Sequence, residues 1–239
     1  MSWMLEINVT NDLKFCAWLG PVGMLLLFLA MVPAGGFLPP PSPALEAAQL
    51  ASFYAGNTLG IRLASMLFVT GTACYVVFYV AVSAAMMRMR PHSMLLSAIQ
   101  LSSGIVGILP LFFAGMLLGV IAFRPERSAD LVQAISDFAW VLIIMPASSV
   151  LPQFVALAIA IFRDRSEHPV FPRWVGYINI WTGVLFQSSL MTLLFHRGPF
   201  AWDGLFAFWV PFTAFAVWFY VMCWALLRIP ASPAEEVAG

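Results

Sequence analysis

Charge is what this sequence has least of. Asp, Glu, Lys and Arg make up 9% of its 239 residues, against 62% hydrophobic. A soluble globule of that length needs far more polar surface, so the bilayer is the solvent this chain is built for. Lysine is nearly missing. Lys14 is the only one and it precedes the first apolar run, which leaves no buried amine for a retinal Schiff base. Histidine is almost as rare: His92, His168 and His196 fall in loops or at the ends of apolar runs, so neither a bis-histidine haem nor a histidine-rich di-iron site can be assembled. We expect no cofactor and no metal. Cys16, Cys74 and Cys223 all sit inside apolar segments, where a thiol behaves as a small hydrophobe, and no disulfide is expected. The formal net charge is zero and no basic stripe is present, which argues against nucleic acid as a partner. No Walker, dinucleotide-binding or nucleophile-elbow pattern stands in a suitable setting.

Long apolar runs are what the sequence does have. A hydrocarbon core about 30 Å thick is crossed by roughly 20 helical residues. Runs at about 15–32, 58–88, 94–123, 131–162, 174–195 and 205–227 are read as six spans. The expected fold is all-α: residues 1–230 form a single domain, a polytopic six-helix transmembrane bundle, and 231–239 form a disordered tail. The first span closes at Pro33, and the proline-rich stretch Phe37 to Pro43 cannot propagate a helix. Ser42 as N-cap, Pro43 at the first helical position and Gly56 as C-terminal cap predict a short extracytoplasmic surface helix over 44–55. Gly115 and Gly119, four residues apart, predict close approach of a neighbouring helix.

Loop arginines orient the bundle. Lys14, Arg88, Arg90, Arg163, Arg165, Arg173 and Arg228 fall on one side; Arg124, Arg127 and Arg197 fall on the other. The richer side faces the cytoplasm, so the expected location is the inner (plasma) membrane with both termini cytoplasmic.

Gly60-Ile61-Arg62-Leu63 opens span two, Asp137 lies early in span four, and Phe171-Pro172-Arg173-Trp174-Val175-Gly176 opens span five. In these motifs and in the order of its spans, the chain resembles a bacterial family of six-span integral membrane proteins known only as a domain of unknown function. The resemblance implies an architecture and lends no catalytic residue.

Polar residues at membrane depth are the candidates for function, because each is costly there unless it is used or paired. Arg62 and Asp137 stand a few residues inside their spans and would pair if spans two and four are neighbours. At 100° per residue, Gln133, Asp137, Trp140, Ile144 and Ser148 share one face of span four, able to line a cavity opening outward. Pro146 and Pro152 break that span near Ser148 and Ser149, as discontinuous helices do in transporters. Deeper lie Gln100, Ser102, Ser103, Gln153, Asn179, Thr182 and Gln187, which read either as interhelical glue or as a polar path. The ligand-binding candidates are therefore Arg62, Asp137, Trp140, Ser148 and Gln133, with Asn179 and Gln187. Trp209, Phe212, Phe215, Trp218 and Phe219 are expected to face lipid or packed helices, an aromatic pocket for an apolar ligand being the sharper alternative. His196, Arg197, Trp202 and Asp203 gather in an outer loop, where a histidine and a carboxylate can exchange protons and Glu46 of the surface helix can join them.

The resulting expectation is a lipid-embedded protein that binds or moves a small, largely apolar molecule through an intrahelical cavity. The alternatives are a membrane-embedded acid/base enzyme acting on a lipid or isoprenoid, and a structural subunit whose amides meet a second copy or another membrane partner.

Overall fold

In the computed structural model, residues 2–229 are described and form helices, with no strand among them. The tail expected over 231–239 lies outside the described residues. The helices are α1 (Ser2–Leu29), α2 (Ala47–Gly56), α3 (Thr58–Met86), α4 (Met94–Phe123), α5 (Ala129–Ile144), α6 (Leu151–Arg163), α7 (Arg173–Leu185) and α8 (Val210–Leu227). Among the described residues five stretches are long and apolar enough to cross a membrane: Asn11–Ala34, Thr58–Met86, Met94–Phe123, Ala129–Arg163 and Leu205–Leu227. They correspond to expected spans one to four and six. The fifth expected span folds as α7 and a following 3-10 turn over Phe186–Leu194. It carries Asn179, Thr182, Gln187, Ser188, Ser189 and Thr192 and is not among those five.

Four segments depart from α-helical geometry, and their residues explain why. Between α5 and α6 the chain tightens into a 3-10 turn over Met145–Val150. Pro146 and Pro152 have no N–H to donate, and Ser148 and Ser149 turn their hydroxyls onto the carbonyls three residues back, Met145 O at 2.9 Å and Pro146 O at 2.7 Å. The turn after α7 repeats the device: Ser188 Oγ donates to Leu185 O at 2.8 Å and Ser189 Oγ to Phe186 O at 2.7 Å. α1 ends in a π-helical turn, Ala30–Ala34, that contains Pro33. A second π-turn, Leu205–Trp209, leads into α8 just before Pro211. Turns of this kind are rare enough that four in one bundle ask for a cause.

Small residues set the neighbours. α4 stands between α3 and α5, α3 packs on α1, α6 on α4 and α7, and α8 closes against α1 and α7. A Cβ added to Gly23 would come 2.7 Å from the Tyr75 ring, and one on Gly115 would come 2.6 Å from the Phe68 Cβ. Only glycine permits those approaches, and the Gly115/Gly119 face is indeed where α3 meets α4. Further along the same interface Ser83 and Ser97 hydroxyls meet at 2.6 Å, and the one that does not donate across that contact donates to the other residue's backbone carbonyl.

The short helix after span one begins later than Ser42 and Pro43 suggest. It starts at Ala47 with Glu46 as N-cap, because Glu46 and Gln49 form a reciprocal capping box, Glu46 N donating to Gln49 Oε1 at 3.2 Å. Ser42 instead closes a local turn, accepting from Ala44 N at 3.4 Å. At the other end of the bundle, Asp164 joins two loops. Its carboxylate accepts from Arg90 N at 3.1 Å, Ser166 N at 3.0 Å, Ser166 Oγ at 2.6 Å and Val170 N at 2.9 Å, while Arg165 N donates to Arg90 O at 2.6 Å. Partial burial raises the pKa of this carboxyl, but those four donors favour the anion more and leave it below the ordinary aspartate value.

Candidate functional site

The arginine and the acid singled out in the sequence do not meet. Arg62 Nε donates to Ala122 O at 3.1 Å, near the end of α4, and α4 separates α3 from α5. A cavity between spans two and four is therefore replaced by direct packing of α4 in that space. The reason is topological: equal depth along two spans says nothing about which helices are adjacent.

Gln133 and Trp140 belong to a cap instead. Trp140 is fully buried, its Nε1 donates to Tyr54 Oη at 3.2 Å, and Tyr54 Oη lies 2.8 Å from Ser136 Oγ. Phe37 meets the Trp140 ring edge-on at 5.6 Å. Gln133 Nε2 donates to Leu45 O at 3.2 Å, so one face of α5 holds both α2 and the chain leading into it. Burial pushes the Tyr54 phenol up to about 12, so it stays protonated and neutral around pH 7. Trp202 extends the same fastening: its Nε1 donates to Pro41 O at 2.8 Å, which gives this loop tryptophan a structural task rather than a place in proton exchange.

Asn179, Gln187 and Ser148 are interhelical fasteners. Asn179 Nδ2 donates to Val175 O at 2.8 Å, and its Oδ1 accepts from Trp218 Nε1 at 2.9 Å. Gln187 Nε2 donates to Gly183 O at 2.9 Å and to Ser148 O at 3.4 Å, linking the two 3-10 turns.

Those turns line a partly open cavity of about 90 Å³ among the helices. All four irregular segments reach it: Met31 from the first π-turn, Ala147 and Val150 from the turn between α5 and α6, Phe186 from the turn after α7, and Phe208 from the second π-turn. Helical segments fill in the wall, including Gly107 of α4 and Phe212, Phe215 and Trp218 of α8. Three of the five aromatics singled out on the last span thus face a pocket, whereas Phe219 is buried among Tyr75, Phe78 and Tyr79 and Trp209, in the second π-turn, is partly exposed. Every lining side chain is apolar or aromatic except for the hydroxyl of Tyr79 and the indole N–H of Trp218, and the latter is committed to Asn179. An apolar cavity of this kind holds water poorly and accepts apolar ligands.

One helical turn further along lies an unsatisfied polar pair. Gln100 and Gln153 have no exposed surface, and neither the oxygen nor the nitrogen of either amide has a hydrogen-bond partner. Among the described residues the other such atom is Thr192 Oγ1. Each lost partner in a buried polar group costs about 1–3 kcal/mol, so two such amides are a substantial burden on the bundle. The Gln153 amide lies beside the Tyr79 hydroxyl, its nearest polar neighbour, at a longer approach than the hydrogen bonds given above. A Cβ on Gly104 would lie 2.9 Å from Gln153 Oε1 and 2.9 Å from the Tyr79 ring, so this glycine makes room for both.

Sequence reasoning places Gln100 and Gln153 among the buried amides but leaves Tyr79, Gly104 and Gly107 unmarked. The signal available for the α4 residues is their spacing: Gln100, Gly104 and Gly107 recur at four and then three residues, one face of a helix. The chain matches no family model, no curated protein and no solved structure.

Proposed function

We propose that this is a six-span protein of the inner membrane that binds or moves a small, largely apolar molecule in the central cavity. In this reading α7 with its 3-10 extension is the fifth span, both termini are cytoplasmic, and α2 lies on the extracytoplasmic surface. The loop arginines support that orientation, and the resemblance to six-span proteins of unknown function implies the same span count. Arg228 stacking over Trp224 at 4.4 Å and the Trp174 ring 5.3 Å away make an aromatic and cationic belt of the sort found at a membrane interface.

The observation that carries the functional reading is convergence. Four breaks in helical geometry, each written into the sequence by prolines or serines, surround one apolar space. Backbone that leaves the α-helix at membrane depth is tolerated where it is buried in protein or lines a cavity, and rearranging such turns is how discontinuous helices admit a substrate. The lining holds no carboxylate, imidazole or amine, and the Tyr79 hydroxyl is its one ionisable group.

The test is occupancy. Protein purified gently from its native membrane should carry a bound small molecule by native mass spectrometry, and Ala147→Phe, which fills the cavity, should release it. Leu109→Phe, on an exposed face of α4, should not. Identical adducts on all three proteins would place the bound molecules on the outer surface and end the proposal.

A further inference from the structure

Gln100 and Gln153 hold hydrogen-bonding capacity that nothing in the bundle uses. Each amide offers two N–H donors and a carbonyl acceptor. Interhelical glue would spend that capacity on a neighbouring helix, as Asn179 and Gln187 do, whereas the four polar atoms here are enclosed and make no hydrogen bond of ordinary geometry, Gln153 having only the Tyr79 hydroxyl beside it.

Their position ties them to the cavity. Val150 and Phe154, the residues three before and one after Gln153, both line it, and so does Gly107, one turn beyond Gly104. Tyr79 belongs to both places: its side chain forms part of the cavity wall and faces Gln153. The amides therefore sit directly behind one end of the wall. Neither amide lines the cavity itself; the Tyr79 hydroxyl does, with Gln153 next to it.

We infer that the cavity takes an uncharged amphipathic molecule, a compact hydrocarbon body bearing a hydroxyl or carbonyl oxygen, and that Gln153, Gln100 and the Tyr79 hydroxyl receive that oxygen. The inference rests on the proposed binding function and narrows its ligand class. Neutrality follows from the walls: no charged side chain lines the cavity, and an ion buried without a partner is prohibitively costly. The oxygen follows from the amides, which donate and accept but find neither role filled. The hydrocarbon body follows from the aromatic and aliphatic remainder of the wall, with Phe212, Phe215 and Trp218 on one side and Ala147 on the other.

Menthol and its parent hydrocarbon menthane separate the claims. Full-length protein in detergent is titrated with each, and the rise in apparent melting temperature gives relative affinity. The wild type should favour menthol over menthane, and Gln100→Met with Gln153→Met should remove that preference by about tenfold while menthane binding persists, as expected for one or two lost hydrogen bonds. Equal responses to both probes, unchanged by the substitutions, would leave the apolar cavity standing and overturn the polar end, whose amides would then be solvated by trapped water only. No response to either probe would overturn the inference together with the binding function beneath it. A double variant that fails to accumulate, with Gln153→Met alone less stable than wild type, would show that the amides fasten helices, and this too would overturn it.

Discussion

Two buried polar clusters lie on either side of the cavity along the α5–α6 rod, and they are built on opposite terms. At the α2 cap, Tyr54, Ser136 and Trp140 bond one another, Gln133 bonds Leu45, and aromatic rings seal the group. Beyond the cavity, Gln100 and Gln153 are equally buried and bond nothing. A satisfied network makes a structure rigid and unique, whereas an unsatisfied one raises the energy of the empty state and lowers it again when a partner arrives. The first cluster holds the fold.

The largest effect is expected where satisfaction and burial combine. Trp140→Ala removes a fully buried ring, its edge-on contact with Phe37 and the N–H that Tyr54 accepts, and should cost about 3–5 kcal/mol in thermal or denaturant unfolding. A loss below about 1 kcal/mol would mean that α2 is not held by this cap at all. Next comes the α3–α4 seam, which belongs to neither cluster and serves as a reference for pure packing. Gly115→Ala drives a methyl toward the Phe68 Cβ and should cost roughly 1–3 kcal/mol. Unchanged stability would show that the seam yields easily.

The smallest effect is expected at Asp164, a satisfied cluster outside the membrane-spanning segments. Its folded pKa lies below the unfolded value because four donors favour the carboxylate. Its contribution is therefore present above the unfolded pKa, about 3.9, and lost as the pH falls through the folded one. Wild type should lose stability on acidification below about pH 4 more steeply than Asp164→Asn, and the two should differ by a constant amount near neutrality. Parallel curves throughout the acid range would remove Asp164 as the group responsible.

Much of the fold is legible in the sequence because apolar length is a strong signal. Spans one to four and six stand out, and Pro146 and Pro152 mark the break that separates α5 from α6. The start of α2 is misjudged because two caps compete: Ser42 and Pro43 are a fair start signal, but Glu46 and Gln49 satisfy two backbone groups at once and win. Adjacency is harder to read. Arg62 and Asp137 look like a pair only if α3 and α5 touch, and nothing in a hydropathy profile says that α4 comes between them. The cavity is least legible of all, since it exists only where four separately readable irregularities meet, and the α8 aromatics that wall it carry the same pattern as lipid-facing ones. Gln100 and Gln153 are visible as buried amides, yet their lack of partners is a fact of three dimensions.

The contrast between the clusters is tested most directly by the sign of a stability change in ligand-free protein. Tyr54→Phe leaves Trp140 Nε1 without its acceptor and deprives Ser136 Oγ of its only bonded side chain, and should lower stability by roughly 1–3 kcal/mol. Gln100→Met with Gln153→Met removes groups that bond nothing and replaces them with apolar chains of similar length, so stability should hold or rise by about 1 kcal/mol. Measured side by side in one detergent, a fall for the first and none for the second is the predicted result. A fall of similar size in both would contradict it, because the amides would then be fastening the bundle just as the cap does.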